Sequence, residues 1–274
     1  MSSIARKLRR EEKTIGFVPT MGALHEGHLS LVTEARQMCD VVIVSVFVNP
    51  TQFGKGEDFE KYPRDLTADA ALLTEYNVDY IFAPTREDIY PEGFSTYVTV
   101  EGLSEPMEGE FRPGHFRGVA TIITILFNIV RPDSAFVGQK DAQQALIIKR
   151  LAKDLGFDTE VIVLPTVREE NGLALSSRNA FLTAEQKETA PIIYQALRAA
   201  KFAFREGERN ASRLAEIVRE KIATEPQAKI DYIGIVNAEN LQPITKIEDE
   251  MVLMALAVRF GTVRLIDNAI LNRK

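Results

Sequence analysis

Hydrophobic and polar positions along the first 165 residues switch repeatedly between two periods. A short apolar run, Thr14 to Val18, is followed after a polar turn by Leu31, Val32, Ala35, Met38 and Cys39, spaced three and four apart. That is the pattern of a strand, a glycine-bearing turn and an amphipathic helix. Val41 to Val48 is a near-continuous β-branched run, as expected of a strand buried on both faces. Helical spacing returns over Asp65 to Glu75 and ends near Asn77; Tyr80 to Ala83 is another short strand. Tyr97 to Val100 reads as a strand outside the main sheet, Gly118 to Val130 as a buried helix and Ser134 to Val137 as a strand. Ala142 to Leu155 is helical with Gly156 as its stop signal, and Thr159 to Leu164 closes the series as a strand. Such alternation predicts an α/β fold, a mostly parallel sheet with helices on both faces.

The pattern changes after Val167. Thr183-Ala-Glu-Gln186 is a capping box, and Pro191 should kink or divide the helix it opens. Asn210 is placed to cap a further helix ending near Thr224. Ile230 to Val236, Met251 to Val258 and Thr262 to Ile266 read as strands. The expected division is a nucleotide-scale α/β domain over residues 1–167 and a smaller α+β domain over residues 168–274.

Composition narrows the class without naming a chemistry. The 274 residues are 45% apolar and 26% charged, an ordinary globular mixture. A formal net charge of −6 argues against a general nucleic-acid binder. The single cysteine, Cys39, excludes an internal disulfide and fits a reducing cytoplasm. Arg6, Lys7, Arg9 and Arg10 make the amino terminus basic, but no apolar core follows them, so no signal peptide is expected. No apolar run approaches the length of a membrane span. Asn210-Ala-Ser212 is a formal glycosylation sequon, discounted without secretion.

Five polar strings stand out, three of them where strands give way to helices or loops, the side of an α/β sheet where ligands bind. The first is Met21-Gly-Ala-Leu-His-Glu-Gly-His28. Exposed backbone N–H groups at a helix start form an anion site; Gly22 and Gly27 would let a ligand approach the main chain, with His25 and His28 adding N–H donors. Two satisfied polar histidines would give the same string, and no third ligand is spaced to complete a zinc site. Asn49 and Gln52 follow the buried strand and suit either a small polar ligand or a turn forced by Pro50. Glu108 to His115 is a charged, turn-rich stretch, by default a solvated loop. Lys140 in Gly138-Gln-Lys-Asp-Ala-Gln-Gln144 is either poised for phosphate or a surface lysine. Leu175-Ser-Ser-Arg178 offers two hydroxyls and a guanidinium, fit for phosphate oxygens or for a capped interdomain turn.

Taken together, these strings carry a resemblance. His25-Glu-Gly-His28 matches the H-x-G-H signature of a nucleotidyltransferase superfamily, and the longer Pro19-Thr-Met-Gly-Ala-Leu-His-Glu-Gly-His28 resembles the pantothenate synthetase family. The other strings occur in that family's order, and the similarity runs over nearly all of the chain from Thr14. The resemblance implies a Rossmann-like first domain, a second domain acting as a lid, a soluble cytoplasmic homodimer, and no nucleic-acid or membrane partner. It implies that ATP, with Mg²⁺, adenylates the carboxylate of pantoate and that the amine of β-alanine then displaces AMP to give pantothenate.

The roles it implies fall on named positions. ATP would be lined by Met21, Gly22, Ala23, Leu24, His25, Glu26, Gly27 and His28, by Gly138, Gln139, Lys140 and Asp141, and by Val167, Leu175, Ser176, Ser177 and Arg178. Catalysis would rest on His28, His25, Lys140 and Arg178, with His28 donating a proton to the departing group. Gln52 and Gln144 would hold pantoate, and Gln52 also β-alanine. Asn49, Glu108, Arg112 and His115 would be accessory, the last three on a mobile flap. No protein metal cage is visible. Gln139 and Leu175 stand where relatives often carry glutamate and methionine. A superfamily member that stops at a nucleotidyl product would need no amine site, so the Asn49–Gln52 loop and Gln144 weigh against it. A nucleotide-binding regulatory module and an interaction protein are weaker alternatives, given intact His28, Lys140 and Arg178.

Overall fold

A computed structural model describes residues 1–272 and divides the chain into two compact units, Met1–Pro165 and Thr166–Lys274. In the first, elements follow the order α1 (Ser2–Arg10), β1 (Ile15–Thr20), α2 (Glu26–Met38), β2 (Val41–Val46), α3 (Leu66–Glu75), β3 (Tyr80–Phe82), α4 (Arg86–Ile89), α5 (Glu108–Phe111), α6 (His115–Val130), β4 (Ser134–Gly138), α7 (Ala142–Asp154) and β5 (Glu160–Leu164). The five strands form one parallel sheet in the order β3-β2-β1-β4-β5. The strand order reverses between β1 and β4, so a crevice opens beyond their carboxyl ends. The strings Met21–His28 and Gly138–Asp141 leave those two strands.

The β-branched run behaves as expected: Val41, Val42, Ile43 and Val44 are all buried. Pro19 is tolerated inside β1 because pairing with β4 covers only Gly16 and Phe17, while the β2 ladder runs on to Thr20. On α2, Leu31, Val32, Ala35 and the C-cap Cys39 are buried against the sheet, whereas Met38 closes the helix half-exposed.

One strand reading fails in this unit, and one helix was not foreseen. Tyr97–Val100 forms no strand. The Val98 N–H instead donates to Thr121 Oγ1 at 3.0 Å, and the Arg117 guanidinium lies 3.7 Å from the Tyr97 ring centroid, so side chains of α6 hold the segment. The basic amino terminus, given no element from sequence, is α1, which buries Ala5 and Leu8 and turns its basic residues outward.

The second unit contains α8 (Ala184–Thr189), α9 (Ile192–Arg205), α10 (Ala211–Ile222), β6 (Ala228–Asn237), β7 (Val252–Phe260) and β8 (Val263–Leu271). Thr183 and Gln186 form the expected capping box, and Pro191 separates α8 from α9. Asn210 caps α10 through the Arg213 N–H at 3.0 Å. The strands make an antiparallel sheet, β6-β7-β8. Ile193, Ala196, Leu197, Ala200 and Phe204 of α9 and Leu214, Val218 and Ile222 of α10 bury their stripes in one core with β7.

Candidate active site

The turn after β1 is built by hydrogen bonds made within the protein. Thr20 Oγ1 donates to Ser45 O at 2.6 Å and accepts the Gly22 N–H. The N–H groups of Ala23 and Leu24 donate to Asp69 Oδ2 and Oδ1 at 3.1 and 2.9 Å. The open nest of backbone donors expected from sequence is therefore largely closed, and the side chains supply the outward donors.

His25 and His28 start α2 as a reciprocal capping box. His25 Nδ1 accepts the Gly27 N–H at 3.1 Å, and His28 Nδ1 accepts the His25 N–H at 3.3 Å. An Nδ1 that accepts from an amide leaves the ring proton on Nε2. Both imidazoles thus present Nε2–H, with ring centroids 4.1 Å apart. Burial, reinforced by the nearby Lys140 cation, lowers the His25 pKa to about 4. Burial and the neighbouring His25 lower that of His28 to about 3. At neutral pH the pair is uncharged, each ring keeping one Nε2–H donor.

The loop after β2 is fixed by Asn49, which is buried. Its Nδ2 donates to Gln52 Oε1 at 3.0 Å and to Gly118 O at 3.1 Å. Its Oδ1 accepts from the Thr51 hydroxyl and from the Tyr90 hydroxyl at 2.7 Å. A Cβ on Gly118 would stand 2.3 Å from Thr51 O, so α6 can lie against this loop only through glycine. Gln52 is left with its amide nitrogen 3.0 Å from the Met21 sulfur, a weak acceptor that a ligand oxygen can replace.

The stretch expected as a solvated loop is packed, with Glu108 and His115 both buried. Arg112 pairs with both carboxylate oxygens of Glu57 at 2.9 and 2.7 Å. His115 Nδ1–H donates to Gln52 O at 2.8 Å, and its Nε2 lies 3.1 Å from Arg112 Nη1. Burial and the Arg112 charge lower the His115 pKa to about 4. Gln143 ties the same segment to α7, donating to Leu103 O and Pro106 O and accepting the Glu108 N–H at 3.2 Å.

At the end of β4, Gln139–Asp141 forms a 3-10 turn. Lys140 Nζ stands 3.8 Å from Asp141 Oδ1, and its charge acts on both His25 and His28. Gln144 follows on the exposed side of the buried Gln143, half-buried itself. In the second unit, the Leu175 N–H donates to Val167 O at 3.0 Å and Arg168 bridges Ala174, which brings Val167 beside the Leu175–Arg178 string. Ser176 caps a 3-10 turn over Ser177–Phe181 by accepting the Arg178 N–H at 3.3 Å. Asn179 anchors that turn through Ala174 O at 3.1 Å.

A sequence profile of the pantoate-beta-alanine ligase family matches residues 1–270. The chain belongs to that family. Its relatives include the pantothenate synthetase of Pelotomaculum thermopropionicum, 54% identical over 99% of this chain and 96% of the relative. That of Carboxydothermus hydrogenoformans is 55% identical over 96% of this chain and 93% of its own length. The solved pantothenate synthetase of Thermus thermophilus superposes with a TM-score of 0.92 at 47% identity, covering 97% of this chain and 96% of that one. The pantoate-beta-alanine ligase of Francisella tularensis, solved with beta-gamma ATP and beta-alanine, gives 0.79 at 39% identity, covering 98% and 95%.

Family membership makes the unanticipated residues of the enzyme worth naming. Asp69, Tyr90, Glu57 and Gln143 each hold one of the matched strings in place. Asp69 had a detectable signal, since a carboxylate four residues before the buried Leu73 sits on the apolar face of α3. Tyr90 and Glu57 had none, because their partners are 41 and 55 residues away. No helix among the described residues is long and apolar enough to cross a membrane.

Proposed function

We infer that this chain catalyses the reaction for which its family is named, the ATP-dependent joining of pantoate to β-alanine. A pantoate carboxylate oxygen attacks the α-phosphorus of ATP, the bond to the β-phosphate oxygen breaks and pyrophosphate leaves. The β-alanine amine then attacks the acyl carbon of the pantoyl adenylate, the bond to AMP breaks, and the amine gives up its proton. Adenylation turns a poor leaving group into AMP and splits one hard step into two easier ones. The observation that carries this reading is the family match over residues 1–270.

On this reading the residues act by positioning and charge stabilisation. His25 and His28 direct Nε2–H donors at the phosphates, and His28 hydrogen-bonds the departing oxygen. Lys140 supplies the fixed cation beside them. Arg178, with Ser176 and Ser177, holds further phosphate oxygens, and Val167 packs against adenine. Gln52 and Gln144 offer amides to pantoate, Gln52 also to β-alanine. Mg²⁺ enters as part of the ATP–Mg²⁺ substrate. Among the described residues no group of three or more His, Cys, Asp or Glu is arranged to hold a metal, so the phosphates themselves would carry the ion. A homodimer in the cytoplasm is the expected working form.

Pyrophosphate and AMP release from ATP–Mg²⁺ with pantoate, with and without β-alanine, tests the reading. The expected result is AMP turnover that needs both acids and yields pantothenate. Turnover indifferent to pantoate overturns it.

A further inference from the structure

Asp69 lies on α3, only 4% exposed, and both of its carboxylate oxygens face a single turn. They accept the successive N–H groups of Ala23 and Leu24, 46 and 45 residues earlier in the chain. The turn they hold is strained: φ is +82° at Gly22 and +51° at Ala23, a region that non-glycine residues rarely enter. Such backbone persists only where the surroundings over-determine it. A Cβ on Gly22 would stand 2.8 Å from Asp69 Oδ2, so the carboxylate also dictates the glycine. One peptide further on, the His25 N–H sets the ring of His28, and the His25 ring receives the Gly27 N–H. A carboxylate has the wrong sign to touch phosphate, and here it occupies two amides that an anion would otherwise take. Its place in this loop is explained by the shape it imposes.

We propose that Asp69 is a positioning residue for the ligase reaction, locking the Gly22–Leu24 turn so that the Nε2–H groups of His25 and His28 point together at the ATP phosphates. The proposal rests on the reading of those imidazoles as phosphate donors. It predicts that the turn, and with it both ring tautomers, depends on a helix that contributes no atom to the substrate.

The full-length enzyme is compared as wild type, Asp69→Asn and Asp65→Ala. Asparagine keeps the size of Asp69 but sets an NH2 donor against one of the two N–H groups. Asp65 caps the same helix through the Ala68 N–H at 2.9 Å, so its loss weakens α3 without removing either loop bond. Steady-state turnover is read beside the imidazole nitrogen spectrum, in which His25 and His28 are Nε2–H rings and His115 is an Nδ1–H ring. For Asp69→Asn the expected fall in kcat is on the order of tenfold to a hundredfold, as for reacting groups misplaced by about 1 Å. The His25 and His28 signals should move and that of His115 should not. Asp65→Ala should lower thermal stability yet keep wild-type kcat and ring signals.

Wild-type kcat and unchanged ring signals in Asp69→Asn overturn the proposal. So does a loss of turnover that Asp65→Ala reproduces, or one with no movement of the rings. Displaced rings with normal turnover would instead sink the phosphate-donor reading, and the positioning role with it. Should Asp69→Asn fail to fold, Gly22→Ala drives a methyl group against the same carboxylate and is judged by the same two readouts.

Discussion

Buried polar groups serve opposite ends in the two units. In the first, three side chains of the candidate site are held at one end and left open at the other. His25 and His28 use Nδ1 on backbone amides and keep Nε2–H; Gln52 uses Oε1 on Asn49 and keeps its amide nitrogen beside a sulfur. In the second, the most buried charges close on one another. Arg168 makes two hydrogen bonds to Asp267, at 2.6 and 2.9 Å, donates to Gly172 O and stacks on Tyr194. Asp231 accepts from both Arg259 and Arg264. A polar group with a donor left over is available to a ligand, whereas one with every partner inside the protein specifies the fold. His115 marks the border, for it lies in the first unit yet engages both ring nitrogens, as a clamp would.

The largest effect should come from opening a closed pair. Asp267→Ala leaves the partly buried Arg168 without its carboxylate and is expected to destabilise the protein by about 3 kcal/mol. Urea unfolding measures it, and a loss below about 1 kcal/mol, the level of an exposed pair, would break the comparison. Next comes removal of a proposed phosphate donor. His28→Ala or Lys140→Ala should cut turnover roughly a hundredfold to a thousandfold with the fold intact. His25→Asn sharpens the point, because asparagine is a good N-cap and keeps α2 while removing Nε2–H. Near-normal turnover in any of these folded variants would contradict the assignment of the donors.

The sheet was legible in the sequence because period and length agree for each strand and helix of the αβ alternation. Elsewhere the reading failed. Tyr97–Val100 is no longer than the Tyr80–Ala83 run that does pair, but side chains of α6 hold it instead of a neighbouring strand, and the four basic residues of α1 mask its two buried positions. Three of the strings proposed to carry chemistry, Met21–His28, Asn49–Gln52 and Gly138–Asp141, stood out too, since each follows a strand that the pattern had already placed. Their supports were not, beyond the place of Asp69 on the apolar face of α3. Asp69 and Tyr90 act across more than forty residues, so only the folded sheet brings them to the loops they hold. The loop's backbone donors were misread for the same reason: nothing near Ala23 in sequence announces the carboxylate that takes them.

Acid separates the units further, because all three histidines lie in the first. Their folded pKa values are lowered, to about 4 for His25 and His115 and about 3 for His28, from an ordinary 6.5. The unfolded chain therefore binds more protons below pH 6.5, and stability falls as pH drops from there toward 4. Each imidazole contributes a slope of up to about 1.4 kcal/mol per pH unit. Glu57, held below the usual carboxylate range by Arg112 against the opposing cost of burial, adds its own loss only at lower pH. Hydrogen exchange between pH 7 and 5 should show protection fading in α2 before β7. Equal fading in both would mean that the histidines do not govern the acid response.

The smallest effect compares two helix caps. Asn210 opens α10 by accepting the Arg213 N–H, and it has no chemistry to perform. Asn210→Ala should cost about 1 kcal/mol of stability, the ordinary worth of such a cap. Turnover at a temperature well below the shifted unfolding midpoint should not change. At the start of α2 the same structural task falls to His25, whose ring caps with one nitrogen and offers a donor with the other. Placed beside His25→Asn, the pair of measurements divides capping from catalysis: one variant loses stability and keeps turnover, the other keeps stability and loses turnover. If Asn210→Ala also slowed the reaction, closed and open polar groups would no longer be separable by their partners.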